Sequence, residues 1–169
     1  MPQKYISKNS NVGHKEVIGE TIAKLVLHKE GFNPYSRFLD TESIDLIVRN
    51  DKGEHKETPT YNEIQVKYSK KYMDPKENYW FRINQRTFKP RYYFYFMFIC
   101  EDDDRIFIIP SLTLNDMLNK IKLDIKKGKE FGYWHFIVRK KEDKYFLATS
   151  KKEENIDITD YRNNFRRLK

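Results

Sequence analysis

The run from Tyr92 to Cys100, Tyr-Tyr-Phe-Tyr-Phe-Met-Phe-Ile-Cys, is almost unbroken in apolar character and has the length of a strand. A strand without polar alternation buries both faces, so the chain must supply covering layers on each side of it. The acidic turn Glu101 to Asp104 and the apolar segment Arg105 to Ile109 give this strand a hairpin partner, stopped by Pro110. Hydrophobic residues make up 38% of the 169 positions, with 12 Tyr and 12 Phe, which is enough material for such a covered sheet. That length suits one domain better than two, so the expectation is a loose polar arm over residues 1–11 and a single domain over 12–169.

The elements before the apolar run have readable periods. Val17, Ile18, Ile22, Leu25 and Val26 recur at helical spacing from Val12 to about Glu30, and Gly31 follows as a stop. Phe32 to Leu39 reads as a short strand interrupted by Pro34, and Ser43 to Arg49 as a second strand. In the second, Ile44, Leu46 and Val48 face one way, and Asp45 and Ile47 the other. Tyr61 to Tyr68 forms a third, with Ile64 and Val66 on one side and Tyr61, Glu63, Gln65 and Lys67 on the other. Residues 69–91 show no clean period beyond a short extended piece at Tyr79 to Ile83. Beyond Pro110, Thr113 and Asp116 suit the start of a helix to about Lys127. Gly132 to Arg139 and Lys144 to Thr149 suit a hairpin, and Thr159 to Leu168 a closing basic helix.

Charge narrows the function classes. The net charge is +8, and its excess is local: residues 1–60 hold nine basic and nine acidic side chains, residues 61–100 eight against three, and residues 101–169 sixteen against thirteen. A basic surface favours a polyanionic partner through counterion release. Cys100 is the one cysteine, so neither a disulfide nor a cysteine zinc site is available, and the four His lack metal-ligand spacing. No apolar stretch has the length of a signal peptide core or a membrane span, which gives the expectation of a cytoplasmic protein. Asp45 interrupts the apolar Ser-Ile-Asp-Leu-Ile-Val. Burying that carboxylate without a partner would cost on the order of a few kcal/mol, so it requires a cation or hydrogen bonds.

Gly-Glu-Thr-Ile-Ala at 19–23, Ser-Ile-Asp-Leu-Ile-Val at 43–48 and Glu-Ile-Gln-Val-Lys-Tyr-Ser at 63–69 stand in an order that resembles the PD-(D/E)XK nuclease superfamily. The resemblance is nearest to the branch with Gln for the second acidic residue, found in Mrr-like restriction enzymes and some intron homing endonucleases. It covers roughly the first seventy residues. It implies an α/β fold with a restriction endonuclease-like mixed central sheet flanked by helices, and an endonuclease hydrolysing DNA phosphodiester bonds. The alternative it leaves open is a DNA-binding module of the same fold without catalysis.

The resemblance also implies roles. Asp45 would bind Mg²⁺, with Mn²⁺ as a substitute, helped by the Gln65 side-chain oxygen and the Val66 backbone carbonyl. Lys67 would orient the attacking water and offset phosphoryl charge. Glu20 or Glu63 would restore the charge lost by having Gln65 instead of an acid; for Glu20 a solvated pair with Lys24 is the competing reading. Apart from the resemblance, the basic residues Lys70, Lys71, Arg82 and Arg86, interleaved with aromatics, suit contact with double-stranded DNA, with a solvated basic face as the competing reading; the resemblance adds that two copies acting together would cut its two strands. No Pro precedes Asp45, a departure at a position that tolerates variation.

Overall fold

The computed structural model describes residues 10–36, 43–50, 59–72, 78–101, 105–121, 132–148 and 155–169. The element order is α1 (Ser10–Lys29), β1 (Pro34–Ser36), β2 (Leu46–Asn50), β3 (Thr60–Ser69), β4 (Lys71–Tyr72), β5 (Asn78–Asn84), β6 (Phe94–Cys100), β7 (Arg105–Pro110), α2 (Ser111–Lys120), β8 (Tyr133–Lys141), β9 (Lys144–Ala148) and β10 (Asn155–Asp157). Two short 3-10 helices follow, Thr159–Tyr161 and Phe165–Leu168.

The strands form two sheets where the sequence suggested one. The first has the order β1-β2-β3-β6-β7, antiparallel except for the parallel pair β3 and β6; the second, β10-β9-β8-β5-β4, is antiparallel throughout. The expectation of a mixed α/β fold therefore holds, with its sheet split in two. The apolar run behaves as its pattern demands. Phe94, Phe96, Phe98 and Cys100 of β6 pack into a core shared with Tyr79, Phe81 and Ile83 of β5 and Phe136 and Val138 of β8. Met97 and Ile99 point the other way, into a core with Ala23 and Leu27 of α1 and Leu46, Val48, Ile64 and Val66. The layers are thus helix, first sheet and second sheet, with β6 covered on both faces.

Helix α1 turns a different face inward from the one its large apolar residues suggested. Gly19, Ala23 and Leu27 are buried, while Val17 and Leu25 are 63% and 58% exposed. The cause is close approach: a Cβ on Gly19 would lie 2.7 Å from the Tyr68 Cβ, so only glycine admits the helix at this distance from β3. The helix ends as Gly31 foretold. Gly31 has φ +85°, its N–H reaches the His28 carbonyl and the Phe32 N–H reaches that of Leu27, satisfying two terminal carbonyls.

Other segments depart from expectation. The chain is helical from Ser10, within the stretch read as an arm; residues 1–9 lie outside the described set. Asp45 and Ile44 precede β2 rather than lying within it, and Ile44 joins the core between the sheets, opposite to Leu46 and Val48. Helix α2 starts at Ser111, capped without a side-chain bond, and ends at Lys120; its anticipated extension falls in 122–131, outside the described residues. The closing helix is two 3-10 turns, because Asn163 adopts φ +48° between them and Arg162 bridges to Phe107.

Candidate functional site

Strand β2 begins one residue after Asp45, and this offset builds the site. The Asp45 N–H donates to the Ile64 carbonyl at 3.0 Å, while its Oδ2 accepts the Val66 N–H at 2.6 Å. The carboxylate takes the place of a ladder carbonyl at the end of β2, which supplies the hydrogen bond that its partly buried position requires. A strand residue directs its N–H and C=O to the same side, so the Val66 carbonyl also faces the β2 edge near Asp45. Gln65, buried, and Lys67, half-buried, flank this peptide on β3.

Asp45, Gln65, Val66 and Lys67 line a cleft of about 810 Å³ that Gly19 and Glu20 of α1 also line. The close packing at Gly19 is what brings the next residue, Glu20, to the cleft. The structure therefore assembles four of the expected site residues, Glu20, Asp45, Gln65 and Lys67, from three separated segments.

Glu63 goes elsewhere. Its carboxylate accepts from Arg91 Nε at 2.8 Å and from Arg91 Nη2. Arg91 is itself held over the Phe94 ring at 4.4 Å, and its backbone N–H and carbonyl are both bonded to the Ser111 hydroxyl. Two residues back from Gln65, Glu63 lies roughly 7 Å along the strand, at the start of β6, and does not line the cleft. The structure thus gives the Glu63 carboxylate an arginine partner outside the cleft rather than bringing it together with Asp45.

Of the four expected DNA contacts, Lys70, Lys71 and Arg82 line the cleft, and Arg86 does not; Arg86 is exposed in the turn after β5, its N–H donating to Asn84 Oδ1 at 2.9 Å. Lys70 is already engaged, its Nζ 3.1 Å from Glu101. Burial tends to raise the Glu101 pKa, but hydrogen bonds with Tyr68 and Lys70, with the charges of Lys70 and Lys15, outweigh it and hold the carboxyl below its ordinary value. Lys71, beside β5 in the short strand β4, is exposed.

The expected ligands that line the cleft offer oxygen only: the carboxylates of Glu20 and Asp45, the Gln65 amide and the Val66 main-chain carbonyl. Among the described residues no group of three or more His, Cys, Asp or Glu forms a metal cluster. Two carboxylates with neutral oxygens still fit a hard cation that retains much of its water, the habit of Mg²⁺. This set does not suit zinc, which favours nitrogen and sulfur.

Sequence reasoning missed part of the cleft. Trp80, Tyr133 and His135 line it from β5 and β8, and Lys15 from α1. The expected extended piece Tyr79 to Ile83 is β5, but aromatic residues on both of its faces hide which side turns outward. His135 has no metal-ligand spacing with the other histidines, and its place in the cleft follows from its pairing with Arg82 across β5 and β8.

No protein-family description matches the chain, and no curated protein matches it. Among solved structures it is similar to the bacterial homing endonuclease I-Ssp6803I, with a TM-score of 0.55 and 15% sequence identity, over 93% of this chain and 92% of that one. The likeness is one of fold.

Proposed function

We propose that this chain is a divalent-metal-dependent endonuclease that hydrolyses phosphodiester bonds of double-stranded DNA, of the Gln-x-Lys class of the PD-(D/E)XK superfamily. The observation that carries the reading is the convergence of Glu20, Asp45, Gln65 and Lys67 in one cleft with Lys71 and Arg82 at its margin, on a fold similar to that of a homing endonuclease. That protein's name brings DNA cleavage to this chain as a proposal, in agreement with the basic excess over residues 61–100.

In the reaction a water oxygen bonds to phosphorus as the bond from phosphorus to the leaving sugar oxygen breaks. One proton leaves the water and one is returned to the leaving oxygen. Asp45, its orientation fixed by Val66, and Glu20 supply negative charge to hold the cation; the Gln65 oxygen and the Val66 carbonyl complete the protein's donors. A Mg²⁺ ion bound there would neutralise charge on the phosphoryl oxygens and make water a better nucleophile. Lys67 donates N–H bonds to the water or to a phosphoryl oxygen, where its charge is felt most as negative charge accumulates. Lys71 holds the DNA backbone by charge. Two strands need two such sites, which makes a homodimer the expected assembly.

The test is incubation with supercoiled plasmid, with Mg²⁺, Mn²⁺ or EDTA. Nicking that needs a divalent ion, and is lost in Asp45→Asn and Lys67→Ala, supports the reading. Salt-sensitive binding without nicking under any of these ions would instead identify a DNA-binding module of this fold that lacks catalysis.

A further inference from the structure

The outer face of the second sheet carries an ordered set of side chains that the hydrolysis does not use. Along β5, Phe81 is buried, so Trp80 and Arg82 stand on the opposite face. Along β8, Phe136 is the inward residue, which puts Tyr133 and His135 on that same outer face. The register sets Arg82 directly across from His135. Diagonal contacts join the rest: the Trp80 and His135 rings are 5.6 Å apart, and the Arg82 guanidinium lies 5.2 Å from the centre of the Tyr133 ring. All four residues also line the cleft that holds Asp45, so this face is continuous with the proposed cutting site.

The dimensions fit one kind of occupant. β5 and β8 are inner strands of the second sheet, but β4 pairs only with Asn78 and Tyr79, and β9 only with Ile137 to Lys141; among the described residues, 81–84 and 133–136 therefore form a two-stranded antiparallel stretch, a shape that enters the major groove, about 12 Å wide. Outward residues on one strand are spaced by roughly 6.8 Å, about two base-pair steps of 3.4 Å. The chemistry fits too, because the set offers N–H donors beside apolar ring surface and contains no carboxylate. The Trp80 and His135 rings are tilted by 59°, so they do not form the flat platform that stacking on unpaired bases requires.

We infer that the outer face of β5 and β8 lies in the major groove of the duplex being cut and reads base identity there. Arg82 and His135 donate to purine edges, and Trp80 and Tyr133 supply the apolar surface that meets thymine methyls. The inference rests on the endonuclease reading and adds base specificity to it.

The experiment is selection of bound duplexes from a randomised library in EDTA by the wild-type chain and by Arg82→Lys and Trp80→Ala, each first checked for an unchanged unfolding transition. The wild type is expected to enrich defined base positions. Arg82→Lys keeps the charge but loses the planar two-pronged donor, so it should lower discrimination at one of those positions about tenfold with an unchanged salt slope. Trp80→Ala should relax a neighbouring position. A wild-type chain that binds and nicks without enriching any position, variants that keep the full consensus, or a preference for single-stranded oligonucleotides would each overturn the inference while leaving the nuclease reading in place. A wild-type chain that neither binds nor nicks DNA overturns both.

Discussion

The Asp45 carboxylate accepts the Val66 N–H at 2.6 Å, so the strand that carries Gln65 and Lys67 also sets the direction of the acidic group opposite them. Asp45→Asn keeps an oxygen that can accept this bond but removes the charge. We expect it to lower metal-dependent nicking by at least about 10²-fold with little change in stability. Asp45→Ala should also lose stability by about 1–3 kcal/mol, because it leaves the Val66 N–H without this acceptor. Plasmid nicking beside urea denaturation separates the two effects, and full nicking by Asp45→Asn would sink the proposed site.

The two glutamates that were candidates for the second charge now have different predictions. Glu20 shares the cleft with Asp45, whereas Glu63 is paired with Arg91. Glu20→Gln should weaken Mn²⁺ binding in isothermal titration, about tenfold or more, and slow nicking; Glu63→Gln should leave both as in the wild type. Because the Glu63 pair is partly exposed, its loss should cost no more than about 1 kcal/mol. The opposite ranking in the titration would return Glu63 to the metal.

Gly19 offers a test that touches no charged group. A methyl there would meet the Tyr68 Cβ at 2.7 Å, so α1 must move outward and carry Glu20 with it. Gly19→Ala should destabilise the fold by about 1–3 kcal/mol and slow nicking. Gly13→Ala, in the same helix with nothing within 4 Å, should stabilise by up to about 1 kcal/mol with nicking unchanged. Equal thermal shifts for the two variants would refute the close-packing argument.

The adjacent lysines should differ in their hold on DNA. Both are exposed, and Lys70 is held by an ion pair with Glu101 at 3.1 Å. In a salt series of filter-binding measurements, Lys71→Ala should reduce the slope by about one contact, and Lys70→Ala by less. Glu101→Gln should tighten binding by releasing Lys70. Indistinguishable slopes for the two lysine variants would show that the Glu101 pair does not restrain Lys70 on DNA.

What could be read in advance follows the range of the interactions concerned. Strands β2, β3 and β6 bury apolar faces against near neighbours in sequence, and their patterns located them and placed Gln65 and Lys67. The extended piece of β5 and the β8–β9 hairpin were legible, but their union in a second sheet was not, because β5 pairs with β8 across some fifty residues and Trp80 is an aromatic side chain on an outward position. The buried face of α1 was misread for a steric reason: Gly19 and Ala23 contribute little hydrophobicity, and what they provide is nearness. Glu63 shares strand and side with Gln65 and Lys67, and nothing local to it shows that Arg91, from beyond the second-sheet strand β5, takes its charge.

Ser69 closes β3 with bonds in three directions. Its carbonyl accepts the Glu101 N–H, and its hydroxyl accepts the Trp80 N–H and donates to the Lys70 carbonyl. It stands two residues after Lys67 and touches the backbone of the strand inferred to read the DNA. In an enzyme built this way the blade and the ruler share one rivet, and the cut would fall at a constant number of base pairs from the recognised ones. Small substitutions at Ser69 would then blur that offset, producing scattered cleavage positions around an unaltered target.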